Sequence, residues 1–237
     1  MTPLISVIIL TLLAGLAMPL GALIANYERI KPEWLENELM HGITAFGGGA
    51  LLSAIALVLV PEGIEDFTAW SAALLFFMGG AAFMGLDIWL SKQETSMSQL
   101  VAMLADFIPE SLALGAAFAL GTINGVLLAA LIAMQNIPEG FNAFRELKST
   151  SSYRSVTIIL LFVLLALCGP LAGVIAHLWL VKWPAIVSGV MLFASGGILY
   201  AVFQDIAPQA VLERHWLPPM GAVMGFVLGL IGYMMVH

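Results

Sequence analysis

The chain has 237 residues, of which 61% are hydrophobic and only 10% charged, with a net charge of −7. A soluble domain carries about 25% charged residues, so a water-soluble globule is excluded as the main fold. The acidic balance does not suit a nucleic-acid binder, and the single cysteine, Cys168, allows no internal disulfide.

A helix needs about 20 apolar residues to cross the hydrocarbon core of a bilayer. Eight stretches meet or approach that length: 3–26, 41–61, 69–90, 99–121, 123–145, 156–179, 184–207 and 217–236. They use most of the chain. The expected fold is therefore one all-α integral membrane domain over 1–237 with eight transmembrane helices. Ten-residue segments of alternating hydrophobicity are absent, which argues against an outer-membrane barrel.

The first stretch has no Lys or Arg before Arg29 and contains Pro19, so it reads as a retained helix and not a signal peptide. The second carries Gly47-Gly48-Gly49, suited to close helix contact, and reaches Pro61-Glu62. The loop after it holds Glu62, Glu65 and Asp66 with no base, which reads as a solvated turn. The third carries Gly80, Gly85 and, near its end, Asp87. The fourth contains Asp106-Phe107-Ile108-Pro109-Glu110-Ser111, and the fifth Gln135-Asn136-Ile137-Pro138-Glu139-Gly140. The sixth, L-A-L-C-G-P-L-A-G-V-I-A from Leu165, resembles A-G-L-A-M-P-L-G-A-L-I-A from Ala14 in the first, with Pro170 opposite Pro19. The seventh, A-S-G-G-I-L-Y-A ahead of Asp205 and Pro208, resembles G-G-G-A-L-L-S-A ahead of Pro61 in the second. Gly225 and Gly229 of the eighth loosely match Gly80 and Gly85. Helices 1–3 and 6–8 thus read as repeats in a 3+2+3 arrangement. Units of three helices separated by two run in opposite senses, and inverted repeats of this kind are a signature of secondary transporters.

Arg29, Lys31, Lys92, Arg145, Lys148, Arg154 and Arg214 fall in loops on one side, and only Lys182 on the other. The positive-inside rule then puts both termini on the non-cytoplasmic side of a cell (inner) membrane. Trp70, Trp89, Trp179, Trp183 and Trp216 sit at helix ends, as an interfacial belt would. His41 and His215, at the cytoplasmic boundary, read as solvated side chains or as aids to ion release, and His177 and His237, at the outer edge, receive no role.

The fourth and fifth helices, about 99–145, carry the chemistry. A carboxylate deep in a membrane helix costs about 3 kcal/mol or more. Asp106, Glu110 and Glu139 have no Lys or Arg at their depth, so a cation or protons must neutralise them. Asp106 and Glu110 are four apart and share a helix face, as do Gln135 and Glu139. With the hairpin turn near 122–123, Asp106 is level with Glu139 and Glu110 with Gln135. Pro109 and Pro138 free the carbonyls of Ala105 and Met134. All these donors are oxygens, which suits Mn²⁺, Fe²⁺ or Mg²⁺ better than a thiolate-seeking ion. Asp87 and Asp205, near the inner ends of their helices, could receive the ion or simply meet water. An intramembrane hydrolase would need two Asp sharing a proton around a water, and ranks low because an amide and two proline kinks share the site.

The two I-P-E elements, the eight helices, the outside termini and the 3+2+3 order resemble the ZIP (Zrt/Irt-like) divalent metal transporters over essentially the whole chain. Gln135 to Gly140 looks like that family's fifth-helix pattern. The Pro19-Leu20-Gly21 and Pro61-Glu62 ends of the first two helices match as well. The resemblance implies a transporter moving Zn²⁺, Fe²⁺ or Mn²⁺, with Co²⁺ and Cd²⁺ as further candidates, towards the cytoplasm by alternating access. The ion would be substrate and not cofactor, and the protein not an enzyme. The implied partners are the ion, the lipid bilayer and, in a homodimer, a second copy. The implied ligands are Asp106, Glu110, Gln135 and Glu139, with Asn136, Asp87 and Asp205 accessory. Asp106 and Phe107 stand where the family's fourth helix has His and Asn, and Gly169 where its sixth often has Glu. The missing Asn and Glu would be second-metal ligands, which implies one ion, and the missing His shifts the first site towards all-oxygen coordination and away from zinc. These losses also leave room for a ZIP-like sensor or regulator that binds metal without moving it.

Overall fold

The computed structural model describes residues 2–27, 33–92, 96–119, 124–210 and 216–236. The side chains of 33–37, 96–99, 102, 106, 119, 124, 181, 209 and 236 lie outside that description. The hairpin turn at 122–123, Arg29, Lys31, Arg214, His215 and His237 lie outside it too.

The described residues form helices and no strand. We number the long ones α1 (Pro3–Tyr27), α2 (Glu33–Ala54, prolonged through Ile55–Leu59 and Val60–Gly63), α3 (Ala69–Ser91), α4 (Ser96–Ala119) and α5 (Asn124–Thr150). They continue as α6 (Ser155–Ala166 and Cys168–Leu178), α7 (Pro184–Ala201, prolonged through Val202–Ile206 and Ala207–Gln209) and α8 (Leu217–Val236). Where hydrocarbon offers no hydrogen-bond partner, a helix satisfies its own backbone. Six stretches are long and apolar enough to cross a membrane: Pro3–Tyr27, Glu38–Gly63, Ala69–Ser91, Ser155–Leu178, Pro184–Ile206 and Leu217–Met235. These make the chain a multi-pass membrane protein. The two long helices outside that set, α4 and α5, are those carrying Asp106, Glu110, Gln135, Asn136 and Glu139.

The surface is inverted relative to a soluble protein. Trp70 is 88% and Met235 82% exposed, and Phe77, Leu164 and Leu171 also face outward. Such apolar area is stable only against lipid or a partner. Trp89, Trp179, Trp183 and Trp216 are exposed as well, as an interfacial belt requires.

The prolines shape the helices through the N–H they lack and the carbonyl they crowd four residues back. Pro170 acts on Ala166, and α6 breaks there at Leu167. Pro61 and Pro208 each lie two residues beyond a five-residue π segment, Ile55–Leu59 and Val202–Ile206. In both, the next N–H reaches five residues back: Val60 to Ile55 O, and Ala207 to Val202 O. The widened turn absorbs the missing donor. These two segments follow directly on the G-G-G-A-L-L-S-A and A-S-G-G-I-L-Y-A runs, so the likeness in sequence extends to a local irregularity of the backbone.

The packing does not follow chain order. α1 packs on α5, α4 on α6, α1 on α6 and α4 on α5, forming one four-helix group. α2 packs on α8 and α3 on α7, forming another. The groups meet where α2 touches α5 and α7 touches α4. Exchanging α1 with α6, α2 with α7, α3 with α8 and α4 with α5 maps each of these pairings onto another or, for α1–α6 and α4–α5, onto itself. Glycine permits the closest approaches. A Cβ at Gly49 would strike the Ala222 carbonyl of α8, and one at Gly196 the Phe76 carbonyl of α3. The Gly47-Gly48-Gly49 run meets three partners in turn. Gly47 faces Pro138 of α5, Gly48 faces Ile206 of the α7 extension, and Gly49 faces α8.

Candidate metal-ion site

A cavity of about 260 Å³ lies between the two groups. α2 contributes Thr44, Gly47 and Leu51, and α3 contributes Asp87. Glu110 comes from α4, and Asp205 and Ile206 from the extension of α7. The longest wall is α5, with Gln135, Pro138, Glu139, Asn142 and Glu146. Among the described residues, five carboxylates therefore line the space and no Lys or Arg does.

Asn142 and Glu146 escaped the reading of the sequence. The signal was there: Gln135, Glu139, Asn142 and Glu146 recur at i, i+4, i+7 and i+11, one stripe of a helix. At 1.5 Å per residue, Glu146 lies roughly 10 Å beyond Glu139 along α5. Asn142 Nδ2 donates to Thr44 Oγ1 at 2.9 Å, which ties this stripe to α2.

At the deep end, Glu110 is 2% and Gln135 4% exposed. The level pair expected from the hairpin register is present, since Gln135 Nε2 donates to Glu110 Oε1 at 3.3 Å and Oε2 at 3.2 Å. Glu139 is half-buried and lines the same cavity. Asp106 lies on α4 one turn before Glu110, but its side chain is outside the described residues. Among the described residues no three His, Cys, Asp or Glu side chains converge as a metal cluster. The described acids are instead strung along the cavity. Asp87 is half-buried and accepts from Tyr200 OH at 3.0 Å, while Asp205 is exposed. Asn136 is fully buried and does not line the cavity. Its Nδ2 donates to the Ala14 carbonyl at 2.8 Å, and its Oδ1 accepts from Gln135 Nε2 at 2.7 Å.

Phe107, only 1% exposed, points away from this cavity and into the four-helix group. A Cβ at Gly169 of α6 would lie 2.6 Å from Phe107 Cζ, and one at Gly15 of α1 2.8 Å from it. The ring is wedged between two glycines. The positions at which the ZIP resemblance would seek further ligands, 107 and 169, are thus a phenyl ring and the gap that accommodates it.

No protein-family model matches this chain, and no curated protein matches it. Chemically, the arrangement offers a cation a cavity rich in oxygen donors, with a buried carboxylate–amide pair at one end and exposed carboxylates elsewhere along it. Carboxylates in a desolvated cavity attract a cation, because neutralising them recovers part of the cost of their desolvation.

Proposed function

We propose that the protein is a ZIP-like divalent metal transporter that carries one first-row ion, Zn²⁺, Fe²⁺ or Mn²⁺, through the cavity between its two helix groups. The observation that carries this reading is the cavity itself, which among the described residues is lined by five carboxylates and no Lys or Arg and is set among helices long and apolar enough to cross a membrane. Glu110, Gln135 and Glu139, with Asp106, form the binding site. Asn142, Glu146, Asp87 and Asp205 extend an oxygen-lined path from it. In this reading α4 and α5 also span, giving eight transmembrane helices. Their polar residues are tolerable because neighbouring helices, and not lipid, surround them. The matched π segments and the exchangeable helix pairings support inverted repeats, and the two groups could then move about the site in alternating access. The count of Lys and Arg supports cytoplasmic loops that leave both termini outside a cell membrane. Phe107 in place of further donors supports a single ion.

Uptake of radioactive Mn²⁺, Fe²⁺ and Zn²⁺ into proteoliposomes tests the proposal. The wild-type protein should accumulate at least one ion, and Glu139→Ala should abolish both uptake and binding. Normal uptake by a folded Glu139→Ala protein would refute the site. Binding without uptake by the wild type would favour an ion-binding regulator.

A further inference from the structure

Asn136 has the contacts of a positioning residue. Its amide is buried, lies outside the cavity, and is engaged at both ends by protein. We propose that Asn136 sets which face of the Gln135 amide an ion meets, and that it does so by transmitting the polarity of a backbone carbonyl on α1. This rests on the reading of Glu110, Gln135 and Glu139 as an ion site.

The argument is a chain of donors and acceptors. The Ala14 carbonyl can only accept, so the Asn136 amide must turn its NH2 towards α1. That turns Asn136 Oδ1 the other way, where it can only accept. Gln135 must therefore present Nε2 to it, as it does at 2.7 Å. The other N–H of Gln135 is shared by the two oxygens of Glu110. Both Gln135 donors are thereby spent, and Oε1 is the atom of this amide left for a cation. A rotated Gln135 would present two N–H dipoles to the ion and repel it. α1 is well placed to supply the reference carbonyl because it packs tightly on α5. A Cβ at Gly140 would strike the Met18 carbonyl, and one at Gly21 the Ile137 carbonyl. The register of α1 against α5 is therefore fixed by backbone contact, and Asn136 converts it into the orientation of a ligand.

The test is a double-mutant cycle on the purified full-length protein, with Mn²⁺ binding followed by electron paramagnetic resonance and thermal melting recorded without metal. Asn136→Ala should weaken Mn²⁺ binding about tenfold, as expected when an oriented polar contact is lost, and should still melt cooperatively, at a lower temperature because a buried amide bonded at both ends is removed. In a Gln135→Ala background the same substitution should change the affinity no further. An unchanged affinity in Asn136→Ala, or the same tenfold loss with Gln135 already removed, would overturn the proposal. Should Asn136→Ala fail to fold, Asn136→Ser retains a hydroxyl too short to reach Gln135 and carries the same expectation. A wild-type protein that binds none of Mn²⁺, Fe²⁺ and Zn²⁺ would instead overturn the ion-site reading beneath it, an outcome the cycle separates from failure of the orienting role.

Discussion

Gly169→Ala tests the wedge that holds the second-ligand positions closed. The new methyl would sit 2.6 Å from Phe107 Cζ, 2.9 Å from its Cε1 and 3.0 Å from the Thr11 carbonyl. On the α1 side the ring already lies close against Gly15, where a Cβ would come 2.8 Å from Cζ, so little room is left for it to move. Three helices would have to separate. Overpacking of this kind costs about 1–3 kcal/mol, and with backbone on one side the upper half of that range applies. Phe107→Ala alone opens a void. In a soluble core that change costs about 3–5 kcal/mol, but part of that sum is transfer out of water. Helices that separate within a bilayer remain in an apolar medium, so mainly the lost packing counts and about 1–3 kcal/mol is expected. The methyl at 169 partly fills the space the ring vacates, so the two changes must not add. The double variant should be at least about 1 kcal/mol more stable than the sum of the singles predicts. Reversible unfolding in mixed micelles of the four proteins measures this directly. Additive losses would show that Phe107 and Gly169 do not share a space and would refute the wedge.

Three further outcomes follow from the same geometry. Glu146→Gln should slow ion uptake severalfold while leaving equilibrium binding at the Glu110–Gln135 end nearly unchanged. Equal losses in both would place Glu146 in the binding site and not on the path. Equilibrium dialysis of the wild type should give one tightly held ion per chain, and two would contradict the closed wedge. Gly196→Val should destabilise the α3–α7 pair by about 3 kcal/mol, because the obstacle is the immovable Phe76 carbonyl. An unchanged melting temperature would mean the two helices do not touch there.

How much could be read beforehand depends on what is written along a helix and what is written across it. Six of the eight expected spans were legible from apolar length alone, because hydrocarbon thickness fixes that length. Proline effects act within one helix, and Pro170, noted in the sequence only as the match to Pro19, crowds the Ala166 carbonyl beside the break at Leu167. The Glu110–Gln135 pairing was legible because two helices joined by a short turn share a register. Even the correspondence of α2 with α7 could be seen as text, although the π segments that accompany it could not.

The rotation of each helix about its axis and its choice of partner were decided only in three dimensions. Both depend on side-chain packing between segments far apart in the chain. Chain order suggested groups of three, two and three helices. In space, α1, α4, α5 and α6 assemble against α2, α3, α7 and α8, a grouping compatible with that order, and the seam between those groups is what gives Asn142 and Glu146 a shared cavity with Asp87 and Asp205. Asn136 shows the division most clearly. Its place beside Gln135 made it a candidate ligand on paper. The Ala14 carbonyl, 122 residues away in sequence, engages its amide, and no local spacing could have announced that contact.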